Sequence, residues 1–267
     1  MYAVEISLTS ALPADLKKTK YAVCLNGEEL QVEISESGTE ITISPIEAGS
    51  PAAARSYAHR VVNLFLDALA VQLGICSTTR LSHKYWDLSK PSSHHQVIVA
   101  GSVTVRVPSP MNLPSKVCLN AESKGGSYWR KAELAGDKFD QFRNYYLVVD
   151  SVGKYICQLE ERTEHDNKVL ETTLARVATD DEIKELYNAL PESGNGAEVG
   201  RQEQCAAIGK LIYKDYRCSL FHSGNRGDRR PYNLEDESEI AAVWPIMRQV
   251  ACLYARFEIK QAGQDQE

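Results

Sequence analysis

The residues best placed to do chemistry lie in one stretch, YKDYRCSLFHSGNRGDRRPYN, from Tyr213 to Asn233. Arg217 and His222 stand five positions apart, where an apolar-patterned run stops. Imidazole titrates near neutral pH, so it can take a proton and return it. Guanidinium is permanently charged and forks onto two phosphate oxygens at once. Both types suit acid–base work on a phosphate ester. The same two residues also suit a helix C-terminus, whose dipole favours cations. On residue types alone both readings stand. Five residues along an ideal α-helix turn through about 140°, so the pair would not converge within an unbroken helix.

Other candidate groups carry less. Arg226, Arg229 and Arg230 are diluted by Asp228 and interleaved only by Tyr232, so they read as a solvated loop rather than a nucleic-acid groove. His94 and His95 are adjacent, and adjacent strand residues face opposite ways, so they do not share an ion. His83, within HKYW, reads as a sheet or sheet-edge residue. No metal site and no cofactor are expected. GxGxxG, P-loop and nucleophile-elbow patterns are absent, and Gly194-Asn195-Gly196 lacks the preceding strand of a phosphate cradle.

A net charge of −6 argues against wholesale polyanion binding while leaving room for a local basic patch. Seven cysteines are dispersed without CxxC, which reads as reduced thiols packed as small apolar residues in a cytoplasmic protein. The N-terminus lacks a basic region followed by an apolar core, so no secretory signal is expected. VVNLFLDALAVQLGI, the most apolar segment, carries Asn63, Asp67 and Gln72 and is too short for a bilayer. No membrane association is expected.

The elements that must position these residues change character along the chain. In the first part the period is two: Leu30, Val32 and Ile34 alternate with polar residues, Asn26-Gly27 and Ser37-Gly38 mark turns, and Val97, Val99, Val103, Val105 and Val107 share a face. Between these strands, residues 51–74 predict a helix with Pro51 in its first turn, a stripe of Ala58, Val62, Phe65 and Leu69, and a stop at Gly74. Residues 108–129 are polar and punctuated by prolines and Gly125-Gly126, which places a domain boundary between about 110 and 136. Beyond it the period is helical. Phe139, Phe142, Tyr146, Val149, Ile156 and Leu159 form one seam, and Thr179 with Glu182 makes a capping box. Cys205, Ile208, Ile212, Tyr216 and Leu220 stripe a helix leading into the opening stretch. Asn233 suits the cap of a last helix striped by Ile240, Val243, Met247, Val250, Tyr254 and Phe257, with Pro245 as a kink or break. The fold class is therefore α+β: a small antiparallel sheet with a covering helix in residues 1–125, then a four- or five-helix bundle in residues 137–262.

Arg217-Cys-Ser-Leu-Phe-His222, near the end of the third main helix of such a bundle and followed by a polar loop and a long last helix, resembles the HEPN superfamily. The aromatic-rich FDQFRNYYLVVDSV resembles the first helix of many of its members. The resemblance covers roughly residues 137–262. It implies metal-independent RNA cleavage, possible roles in phage defence or toxin-like stress responses, and a homodimer in which two copies of the motif make one composite site. Arg217 would hold the scissile phosphate, and His222 would activate the ribose 2′-hydroxyl or protonate the leaving oxygen. Active members commonly carry Asn, Asp or His after the arginine, where this chain has Cys218, a poor hydrogen-bond partner, with Ser219 and Asn225 as the auxiliary phosphate residues that could substitute. That departure keeps a second expectation open, a non-catalytic nucleotide- or partner-binding module.

Overall fold

The structure, a computed structural model, describes residues 1–17, 20–25, 27–89, 94–97, 116–119, 124–161, 166–191, 199–217 and 234–264. The chain forms two compact units, one of Met1–Arg130 with the segment from Ile259 onward, the other of Lys131–Glu258. The class is α+β.

The first unit is built on a seven-stranded sheet of β1 (Tyr2–Leu8), β2 (Lys20–Leu25), β3 (Glu28–Ile34), β4 (Glu40–Ile46), β5 (Thr79–Asp87), β6 (His94–Val97) and β7 (Lys116–Leu119). Their order is β6-β5-β1-β4-β3-β2-β7, antiparallel throughout except that β7 runs parallel to β2. Alternation decides the faces. Val4, Ile6, Leu8, Leu30, Val32, Ile34, Ile41 and Ile43 are buried in one core, whereas Glu5, Ser7, Gln31, Glu33 and Thr42 keep partial or full exposure. On the polar face Lys84 reaches Glu5 at 2.8 Å. Gly27 and Gly38 take φ of +82° and +73°, as the two turns require.

Helix α1 (Pro51–Leu73) covers the apolar face. Its start is fixed by Ser50, whose side chain accepts from the Ala53 amide, and by Pro51. Its end is fixed by Gly74 in the left-handed conformation, with its amide returning to the Ala70 carbonyl. Ala58, Val62, Phe65 and Leu69, the expected stripe, are fully buried. Each of the larger ones contributes about 1.5–3 kcal/mol by leaving water.

The stretch expected to be irregular contains two elements, β7 and helix α2 (Gly125–Leu134). Gly126 in its first turn lets α2 come close to α1: a Cβ there would lie 3.0 Å from the Asp67 Cβ. Trp129 anchors it further, its indole donating to the Ala70 carbonyl at 3.1 Å.

The second unit is helical: α3 (Lys138–Leu159), α4 (Asp166–Val177), α5 (Asp180–Asn188), α6 (Arg201–Gly209), a π-helical segment Lys210–Arg217, and α7 (Leu234–Gln264) as far as Glu258. Helix α4 packs on α3 and α6, and α6 packs on α5. Phe142, Tyr146, Val149 and Ile156 of the α3 seam are buried, but Leu159, in its last position, is 55% exposed. The capping box of α5 is complete: Thr179 accepts from the Glu182 amide and Glu182 accepts from the Thr179 amide. Between α4 and α7 the Thr173 and Tyr254 hydroxyls lie 2.7 Å apart in the core. Burial holds the Tyr254 phenol far above its ordinary range, so that hydroxyl stays protonated. Helix α7 continues through Pro245, and Ile240, Val243, Met247, Val250 and Tyr254 are buried along it. Phe257 is partly exposed. Asn233, the expected cap, lies outside the described residues.

Candidate functional site

Arg217 is the last residue of the π-helical segment that continues α6. The hydrophobic spacing predicts one α-helix through Leu220, and the buried Cys205, Ile208 and Ile212 follow it. At Lys210 the bonding changes to i→i+5, a geometry rare in proteins and frequent at functional sites. The transition follows Gly209, where a Cβ would stand 2.7 Å from the Glu171 Cγ on α4. Tyr213, within the segment, lies against Tyr146 of α3 with ring centroids 6.4 Å apart.

The π geometry changes where position 217 falls around the axis. With about 4.4 residues per turn against 3.6 in the α-helix, five residues turn through roughly 410°, not 500°. Position 217 therefore sits about 50° from the buried Ile212 rather than about 140°. Cys218, Ser219, His222 and Asn225 lie outside the described residues, as do Arg226, Arg229 and Arg230.

No protein-family profile, curated protein or solved structure matches the chain. Its chemistry is therefore read from its own residues.

Two side-chain clusters escape the sequence patterns. In the second unit Glu133 accepts at one carboxylate oxygen from both the Tyr145 hydroxyl, at 2.6 Å, and Arg248 Nε, at 2.8 Å. Lys138 Nζ lies 3.4 Å from the centre of the Trp244 ring, which Tyr145 meets edge-on. Burial first, and then the Glu133 carboxylate, push the Tyr145 phenol well above its ordinary range, so Tyr145 is a fixed donor and not an acid–base group. The cluster ties the end of α2 and the start of α3 to α7. The sequence carries one trace of it, the Trp244/Arg248 spacing of four.

In the first unit α1 and β5 bring together Arg55, His59 and His83. Arg55 Nη1 lies 3.2 Å from His83 Nε2, and the two imidazole rings meet edge-on at 6.2 Å. His83 sits one strand in from β6 and is buried. Arg55 and His59 are one turn apart on α1, a spacing that sequence shows. Their meeting with His83 needs the packed helix and sheet. Among the described residues no group of three or more His, Cys, Asp and Glu is arranged to hold a metal ion. Nor, among them, is any helix long and apolar enough to cross a membrane.

Proposed function

We propose that the chain is a metal-independent endoribonuclease of the HEPN kind, using Arg217 and His222 at a composite site in a homodimer. The observation that carries the reading is the π-helical segment ending on Arg217, at the head of the Arg-x4-His stretch, within a unit whose described elements are helical. A π-helix costs regular hydrogen bonding and is found frequently at functional sites. Arg217 would clamp the scissile phosphate and offset its growing charge. His222 would move the proton between the 2′-hydroxyl and the leaving 5′-oxygen.

Incubation of the full chain with single-stranded RNA in excess EDTA tests this. Cleavage leaving 2′,3′-cyclic phosphate ends is expected, with loss of at least about a hundredfold in His222→Ala. Equal activity in His222→Ala overturns the assignment. Cys218 favours a second reading, a phosphate-binding module without turnover. On that reading RNA or nucleotide binding depends on Arg217, His222→Gln binds normally, and no cleavage is detected.

A further inference from the structure

Arg80, the second residue of β5, is a cation without a counterpart. It is half-buried, and its Nε is shut off from solvent and donates to nothing. Among the described residues its guanidinium makes no hydrogen bond, ion pair or ring contact. Nη1 and Nη2 are not sealed in this way and reach solvent. One edge of the guanidinium is thus held by the fold while its two-pronged end faces out.

The chain treats its other inward-lying guanidinium groups differently. Arg130 Nε donates to Asp67 at 2.7 Å, with Nη1 on the Ser77 carbonyl and Nη2 on Asn63. Arg248 Nε donates to Glu133 at 2.8 Å, and Arg55 Nη1 lies 3.2 Å from His83 Nε2. Each of these three meets an acceptor of the fold. Arg80 meets none, although a buried donor without an acceptor costs free energy. The strand is also irregular at this point. Ile6 pairs with His83 and Leu8 with Thr79, so Arg80, Leu81 and Ser82 of β5 stand against Ser7 of β1 alone. A bulge re-aims a side chain, and bulges are over-represented beside active sites. The hydroxyls just before Arg80 do not serve it: Thr78 pairs with Thr9 and Ser77 with Ser10, each at 2.9 Å.

We propose that Arg80 anchors a carboxylate-binding site in the sheet unit, gripping the anion end-on through Nη1 and Nη2. This site is separate from the Arg217–His222 reading and does not depend on it. One fixed positive charge balances one carboxylate, whose two oxygens match the two prongs of the fork. A phosphate dianion would keep an unbalanced charge and a third oxygen for which the fork has no donor. Because the Nε edge is already held, little side-chain freedom remains to be lost on binding.

Nitrogen-15 NMR of the arginine side chains in the full chain tests the site, with sodium acetate and sodium chloride added at equal ionic strength. Acetate is expected to move the Arg80 Nη signals saturably, with a midpoint on the order of 10 mM. The exposed Arg256 should respond no more to acetate than to chloride. A blocked tripeptide with a central glutamate separates the sources of the carboxylate. A lower midpoint than that of acetate assigns an acidic side chain of a partner, and the same or a higher one assigns a free carboxylic acid. Arg80→Met removes an unmatched cation, so it should raise the melting temperature in chloride by about 2 °C or more. Acetate should then add nothing to its stability beyond what chloride adds. A variant that fails to fold or melts lower would show that the fold itself needs the charge, and the proposal would be wrong. Equal responses of Arg80 and Arg256 to acetate would overturn it as well.

Discussion

Asp67 and His59 stand two turns apart on the same helix and answer to charge in opposite ways. Asp67 holds Arg130 in a pair whose side chains are 11% and 10% exposed, and both Nη atoms donate as well, to the Ser77 carbonyl and to Asn63. Taking two charges out of water is costly, so the pair adds little net stability, but losing one partner strands the other. Asp67→Ala should therefore cost about 3–5 kcal/mol in urea unfolding. An Asp67→Leu/Arg130→Met double variant should lose far less than the single one. A double variant as unstable as Asp67→Ala would show that packing, not the stranded cation, sets the cost. His59 is the converse case, a base kept neutral by burial and by its neighbours. Because its folded value is lowered, the unfolded chain binds the proton more readily. Its contribution is whole above its ordinary value of 6.5 and is lost as the pH falls through the window below. The melting temperature should drop between pH 7.5 and 5.5, and His59→Gln should reduce that drop.

At the scale of elements, the close approach of α3 to α4 rests on Gly153. A Cβ there would lie 2.6 Å from the Val169 Cγ1, a branched side chain with little freedom to move, and 3.4 Å from the Thr173 hydroxyl. Gly153→Ala gains helix propensity of up to about 1 kcal/mol and forces the two helices apart, so a net loss of about 1–2 kcal/mol is expected by denaturant unfolding. A gain in stability would mean that the contact relaxes freely. Glycines of this kind mark the limit of what the sequence shows. Alternation in β3 and β4, the ends of α1 and the α5 capping box are written in neighbouring residues and could be read directly. Gly125-Gly126 looked like a break because the contact with Asp67, which makes a glycine useful in α2, is tertiary. The π-helical segment was hidden for a related reason: Cys205, Ile208 and Ile212 fit an α-helix up to the residue where the bonding changes. Leu159 fitted the seam by spacing but falls where α3 ends, and an end position need not be covered. Arg217 and His222 were legible by type and interval alone. Arg55, His59 and His83 were not, because one of the three comes from a strand.

For the whole molecule, the ribonuclease reading joins motifs from two copies of the chain. An arginine and a histidine five positions apart would be brought to one phosphate by pairing motifs from two copies, and a two-fold axis does this with a single self-complementary surface. A net charge of −6 adds a demand, since an acidic protein gains little general attraction to RNA and must hold its substrate locally. Both can be tested by mixing inactive variants. Arg217→Ala and His222→Ala, each purified as a homodimer, should be inactive alone. After subunit exchange about half of the dimers are mixed, and each mixed dimer keeps one arginine and one histidine at the shared site. Cleavage should then return to a measurable fraction of the unmutated rate, rising with the time allowed for exchange and falling steeply with added salt. If the site were completed within one chain, both variants would stay inactive after mixing, and the two-fold arrangement would be wrong even if the catalytic residues were right.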